Sequence, residues 1–309
     1  MSFLIRFCLF LVPALIVAVS VWTINSKRRQ RDRRMAHPLR DRCLRPAGES
    51  LRQMIADKDL DLDTALIMVL GGLSILAYVC FSLPLGTLPG LLLGAGFYFP
   101  LLVGSVFISH KLHVVSRELG TLHLGFEGER YVGQKLTDDL MPHGFRVYHD
   151  IVLERNGTKF NVDHVVVGPN GVFAVETKTW RVPRSFTGDE ERKVTLSGGI
   201  LEVPKPLSEK ESEKALKQAK RNAAAIHDEV FGMKNTTKRV IPVLALPGWK
   251  IDLQQYGEVA VINARESLNY FSKAGNCFFP DEVLEMIIAT MERLASMNAH
   301  ESPAPTSKK

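Results

Sequence analysis

The sequence predicts an α/β domain carried behind a module of apolar helices, and three observations predict it. Nearly uncharged apolar runs at 7–24, 64–83 and 88–108 fill the first third of the 309-residue chain. Two segments rich in Val and Phe, 162–167 and 172–178, flank Gly168-Pro169-Asn170-Gly171 and read as a β-hairpin. Apolar residues at helical spacing lie on both sides of that hairpin, in 126–140 and 280–297.

The apolar runs are 18, 20 and 21 residues long, each enough to cross a hydrocarbon core of roughly 30 Å. Between the first and second lies Lys27-Arg28-Arg29-Gln30-Arg31-Asp32-Arg33-Arg34, whereas only Pro84-Leu85-Gly86-Thr87 joins the second and third. The positive-inside bias puts the basic loop 25–63 in the cytoplasm and makes the last two runs a helical hairpin. Residues 1–110 are therefore expected to form a three-helix transmembrane module in a bilayer, by expectation a bacterial inner membrane, with the C-terminal domain facing the cytoplasm. A cleavable signal peptide competes for the first run, because Ala18-Val19-Ser20 resembles a cleavage site. Cleavage would send the arginine cluster outward, against the charge bias.

Charge follows the same division. The isoelectric point is near 9.1, which invites a nucleic-acid reading. Residues 1–110, however, hold 12 of the 39 Lys and Arg and 7 of the 33 Asp and Glu, leaving 27 basic and 26 acidic residues in 111–309. Most of the basicity is thus membrane topology, and nucleic-acid affinity must come from local clusters such as Lys214, Lys217, Lys220 and Arg221. The four cysteines, Cys8, Cys43, Cys80 and Cys277, form no C-x-x-C pair, which argues against a zinc site and a disulfide framework.

Residues 111–124 link the module to the α/β domain, expected at 125–275; a terminal amphipathic helix at 276–298 follows, with Val283, Ile287, Met291 and Leu294 on one stripe. The tail 299–309, rich in Ser, Pro and Lys, has a disordered composition.

Within the domain, charges sit where burial is expected. Alternation puts Glu176 and Lys178 on one face of their strand with Val172 and Ala174. If the hairpin loop has two or four residues, paired positions sum to 339 and Asp163 lies opposite Glu176; a three-residue loop with a bulge at Gly171 would turn Asp163 to the other face. On the preceding helix, Glu129 is in register with Val132, Leu136 and Leu140, so it points toward the core, while Glu127 falls on the side of Gln134 and Asp138. Carboxylates are kept in such places only when something compensates them, and a divalent cation does so most directly.

These residues carry a resemblance. Gly125-Phe126-Glu127-Gly128-Glu129, Val162-Asp163-His164-Val165-Val166-Val167-Gly168 and Gly171-Val172-Phe173-Ala174-Val175-Glu176-Thr177-Lys178 resemble the nuclease-related domain (NERD) family of the PD-(D/E)XK nuclease superfamily. The likeness continues through Leu216-Lys217-Gln218-Ala219-Lys220-Arg221-Asn222 to Gly248-Trp249, and covers about 117–275. Two departures are visible: the segment 180–212 is longer and more polar than the family pattern, and Lys214-Ala215 stands where Asn-Pro often precedes the helix Gln.

The resemblance implies a restriction-endonuclease-like mixed β-sheet flanked by helices and a metal-dependent phosphodiesterase site using Mg²⁺ (or Mn²⁺) on DNA or RNA. Asp163 and Glu176 would be the oxygen ligands, with the Thr177 backbone carbonyl a further one. Lys178 would orient water or neutralise charge on phosphate, Glu129 would complete the metal site or hold a water, and Gln218 would orient water or phosphate. Plainer readings stand beside these. Asp163, Glu176 and Lys178 also fit a buried ion pair that fixes the sheet, Glu129 a helix-end carboxylate, and Gln218 a surface side chain. His164 alternates away from Asp163 and reads as a packed or surface imidazole. The alternative function on the same fold is a non-catalytic, membrane-tethered module that binds nucleic acid or protein.

Overall fold

The computed structural model describes residues 45–82, 88–183, 185–186, 188, 190–205, 207–232, 239–255, 257–274 and 278–298. The first apolar run, the arginine cluster and the C-terminal tail lie outside the described residues. The chain divides into two compact units: 1–41 with 55–121, and 42–54 with 122–309.

The described part of the first unit is helical. It draws on α1 (Glu49–Ser82) and α2 (Leu88–Leu140), so the segment 111–124, read as a linker, is helix. An ion pair joins Lys58 to Glu118. The helical state expected of 64–83 and 88–108 is present over 64–82 and 88–108, but among the described residues no helix is long and apolar enough to cross a membrane. Each apolar run is one portion of a longer helix whose remainder carries charge. Several large apolar side chains on these portions are exposed, among them Met68, Leu70, Ile75, Leu88, Leu92 and Val103.

The second unit is built on a five-stranded mixed sheet in the order β1-β2-β3-β6-β8. Its strands are β1 (Arg146–Arg155), β2 (Thr158–Gly168), β3 (Gly171–Thr177), β6 (Val240–Ala245) and β8 (Ala260–Ile262). The first three run antiparallel, while β3, β6 and β8 run parallel. Asn156-Gly157, both at positive φ, make the two-residue turn between β1 and β2. The β2–β3 hairpin also has a two-residue loop: Gly168 pairs with Gly171 and His164 with Val175. Those pairs sum to 339, so of the registers that the sequence left open the even one is adopted.

Helices cover both faces, as an α/β sheet buried on both sides requires. On one face, Val165, Val167, Val172 and Ala174 pack with α3 (Glu209–Phe231) and α5 (Asp281–Asn298) through Ala223, Ile226, Ile287 and Met291. On the other, Val166, Phe173 and Val175 meet Val132, Leu136 and Leu140 of α2 and Phe271 of α4 (Ser267–Lys273). The long polar segment 180–212 folds into β4 (Lys193–Ser197) and β5 (Ile200–Glu202), which join β7 (Lys250–Leu253) in a three-stranded sheet ordered β5-β4-β7. Trp249, 1% exposed, packs there with Leu196, Leu216 and Leu246, in line with a core role for this indole.

Candidate active site

Alternation along β2 and β3 places Asp163 and Glu176 on the face shared with Val165, Val172 and Ala174, beneath α3. Both carboxylates are buried. One oxygen of Glu176, Oε1, accepts from Lys178 Nζ at 2.7 Å, and the other, Oε2, accepts from Asn222 Nδ2 of α3 at 2.7 Å. Asp163 Oδ2 accepts from the Thr177 backbone N–H at 2.7 Å, which pins the hairpin end where β3 leaves the sheet. Lys178 itself lies just past β3, its backbone N–H donating to Ala245 O of β6 at 3.0 Å.

Glu129, on α2, is buried, as its phase with Val132, Leu136 and Leu140 predicts, and its charge interacts with those of Asp163 and Glu176; among the described residues its Oε2 has no hydrogen-bond partner. The approach is close because residue 128 is glycine: an added Cβ there would fall 1.6 Å from Thr179 Oγ1, so any larger residue forces the helix off the strand end.

The electrostatics are those of like charges crowded in a dry site. Burial, followed by the charges of Asp150 and Glu176, pushes Glu129 up to about 8. Burial and the neighbouring Glu129 and Glu176 hold Asp163 well above the usual carboxylate range, and burial raises Glu176 against the opposing pull of Lys178. For Lys178 burial works against the charge, but Glu176 and Asp163 outweigh it and the ammonium is held more tightly than usual.

The buried carboxyls of Asp163 and Glu176, with Glu129 Oε2, which has no hydrogen-bond partner among the described residues, are oxygen donors of the kind a hard cation takes. Among the described residues, no three His, Cys, Asp or Glu side chains are grouped to hold an ion by themselves. The expected set of Asp163, Glu176 and Glu129 with Thr177 is thus a neighbourhood of acidic groups and not a closed cage. Lys178 and Asn222 take both oxygens of Glu176, and mutual repulsion opposes closer approach. Mg²⁺ keeps several waters and binds through one or two carboxylates, so a closed cage is not what it needs.

Gln218 does not join the cluster. It is half-buried, and among the described residues it makes no hydrogen bond to the carboxylates; Asn222, one turn further along the same face of α3, makes it instead. Three basic side chains of that helix have partners of their own: Lys217 pairs with Glu213, Lys220 with Glu258, and Arg221, whose charge also acts on Glu176, lies over the Phe160 ring.

His164 faces away from Asp163, as alternation predicts, and of the packed and surface positions open to it takes the packed one, fully buried. It forms a tautomer-defined chain on the α2 face. Thr137 Oγ1 donates to Gly133 O at 2.8 Å and therefore accepts from His149 Nε2 at 3.1 Å. His149 Nδ1 then accepts from His164 Nδ1 at 3.0 Å, which leaves His164 Nε2 as a buried lone pair without a donor among the described residues. Burial lowers His149 to about 4 and depresses His164 well below the ordinary imidazole range.

One further charged group was not singled out by sequence reasoning. Asp150 on β1 is completely buried, adopts φ +50°, and is the second contributor to the raised Glu129. A lone Asp in a strand otherwise reading Tyr-His-Asp-Ile-Val carries no signal of its own, since its partners lie far away in sequence.

No curated protein and no solved structure matches the chain. Residues 124–247, which contain Glu129, Asp163, Glu176, Lys178 and Asn222, match the family model of the nuclease-related domain, NERD, and this likeness points to a nuclease-like function.

Proposed function

We propose that the chain is a membrane-anchored, metal-dependent nuclease that hydrolyses phosphodiester bonds of DNA, with RNA as a second substrate to assay. The observation that carries this reading is the buried acidic neighbourhood of Glu129, Asp163 and Glu176 with Lys178 alongside, inside the segment that matches the nuclease-related domain. When bound, a Mg²⁺ or Mn²⁺ ion held by Asp163 and Glu176 would supply the positive charge that polarises a phosphoryl oxygen. Lys178 presents an ammonium, about one-third exposed, to charge developing on phosphate. Asn222 orients Glu176, and the Thr177 N–H orients Asp163, so neither carboxylate rotates when substrate arrives. Glu129, whose Oε2 has no hydrogen-bond partner among the described residues, would hold a water by hydrogen bond.

The anchor belongs to the same proposal. Its support is the sequence of apolar runs 7–24, 64–83 and 88–108, the basic loop between the first two, and the exposed apolar side chains on α1 and α2, which need a covering. The domain then lies on the cytoplasmic side of an inner membrane. A reporter fused to the C-terminus should be active only in the cytoplasm, and extraction at high pH should leave the chain in the membrane fraction; release of the chain removes the anchor.

The catalytic reading is tested on the full chain with single- and double-stranded DNA and RNA, with Mg²⁺, Mn²⁺ or chelator, and with Glu176→Ala and Lys178→Ala. Cation-dependent cutting lost in both variants is the expected result. Cutting that survives both substitutions removes the site assignment, and equal, cation-independent binding without cutting makes the chain a binding module.

A further inference from the structure

Residues 45–51, more than seventy positions ahead of the family match, are built into the site's own unit. Arg45 Nε and Nη2 both reach Asp150 Oδ2, at 2.8 and 2.7 Å. The same carboxylate oxygen accepts from the Ser50 backbone N–H at 2.9 Å and from Ser50 Oγ at 3.0 Å, and Oδ1 accepts from Asn161 Nδ2 at 3.0 Å. Arg45 is further fixed by Nη2 to Ser50 Oγ at 3.0 Å and by Nη1 to the Asn298 carbonyl at 3.3 Å. Both members of this ion pair are buried.

The same segment lies tight along α2 on either side of Glu129. An added Cβ at Gly48 would stand 2.8 Å from Phe126 Cδ2, one at Gly125 would stand 3.2 Å from Leu51 Cδ1, and one at Gly133 would stand 2.6 Å from Ala47 Cβ. Glycines at these approaches leave room for Phe126, Leu51 and Ala47 to pack directly against the facing backbone. Across the sheet, the β1–β2 ladder passes from His149↔His164 to Ile151↔Val162, and Asp150, at its left-handed φ, sits at the position that would oppose Asp163. Two site carboxylates are therefore flanked by the one network.

We propose that Arg45 and Asp150 are positioning residues, through which a strap formed by residues 45–51 holds the Glu129 turn of α2 and the Asp163 position of β2 in register with each other. A buried ion pair is weak evidence of stability gain, because desolvation offsets most of its attraction, whereas it does define a single arrangement of the elements it joins. The strap continues directly into α1, so the family-matching segment alone lacks a part of the site's framework. The effect on turnover rests on the nuclease reading; the effect on local order does not.

The test uses the full chain with Arg45→Met, the conservative Arg45→Lys, and Ser50→Ala as a milder variant that leaves the ion pair. Amide hydrogen exchange is followed over 122–136 and 158–166, with 209–231 as the internal reference. Arg45→Met should speed exchange over the first two segments by on the order of tenfold and leave the reference unchanged. On DNA its kcat should fall roughly 10- to 100-fold while KM stays within about twofold. Arg45→Lys should recover part of both, and Ser50→Ala should give the same pattern at smaller amplitude and decide the matter if Arg45→Met does not fold. Unchanged exchange over 122–136, a rise spread equally over 209–231, or an unaltered kcat alongside faster exchange overturns the proposal. If the wild-type chain cuts nothing, the nuclease reading fails, and the exchange pattern alone still decides whether the strap orders the site.

Discussion

Replacing Glu129 by Gln should make the protein more stable at neutral pH when no divalent cation is present. In the folded chain this carboxyl is raised from 4.5 to about 8 by burial and by its acidic neighbours. A group raised in this way contributes stability that is fully present below pH 4.5 and is lost as pH climbs toward 8. At about 1.4 kcal/mol per pH unit, the cost at pH 7 is about 3 kcal/mol, shared with Asp163 and Glu176, which titrate with it. The amide in Glu129→Gln carries no charge to bury, so the variant should recover most of that cost, a rise in Tm of about 6–12 °C for a unit of this size. Denaturation of the full chain in detergent, with chelator, is followed through tryptophan fluorescence at pH 4, 5, 6 and 7; two of the three tryptophans, Trp180 and Trp249, lie in this unit. The gain should vanish at pH 4 and grow with pH. Mg²⁺ or Mn²⁺ should then stabilise the wild type, by about 2.7 kcal/mol at a hundred times Kd, and the variant by less. A Glu129→Gln chain that melts at or below wild type at pH 7, or a gain that is the same at pH 4, refutes the account of a frustrated acidic site.

Three further outcomes follow from the same geometry. Asn222→Leu leaves Glu176 Oε2 buried without its donor and should cost about 1–3 kcal/mol in chemical denaturation, with kcat reduced more than binding; Gln218→Leu should do neither. Gly128→Ala drives a methyl into Thr179 and should cost about 1–3 kcal/mol, while Gly72→Ala, where nothing lies within 4 Å among the described residues, should not lower stability. Because the folded state holds His149 neutral down to about 4, against 6.5 for the free side chain, the pair's contribution is complete above pH 6.5 and declines as pH falls from 6.5 to 4. His149→Gln, which keeps a donor for Thr137, should therefore show a flatter stability profile than wild type across that window, and equal slopes would mean that the imidazole is not buried neutral.

What the sequence by itself determined is the part of the site written in short-range periods. Gly168-Pro169-Asn170-Gly171 marks the hairpin but leaves its loop even or odd; with the two-residue loop that the structure adopts, strand alternation turns positions 163 and 176 to one face with Lys178 and sends His164 to the other. Helical phase alone distinguished Glu129 from Glu127, because Val132, Leu136 and Leu140 mark the buried stripe. The long polar segment 180–212 could be seen as unusual in composition, but its pairing with β7, 57 residues further on, could not be read from it. Gln218 and Asn222 share a face of α3, and nothing in their spacing says which turn lies over Glu176; the packing of that helix on β3 decides for Asn222. The same holds for Arg45 and Asp150, 105 residues apart. Backbone geometry repeats every two or 3.6 residues and is legible locally, whereas the identity of a distant partner depends on how whole elements dock, so the carboxylate-bearing strands were present in the sequence and the groups that hold them in place emerged only from the tertiary structure.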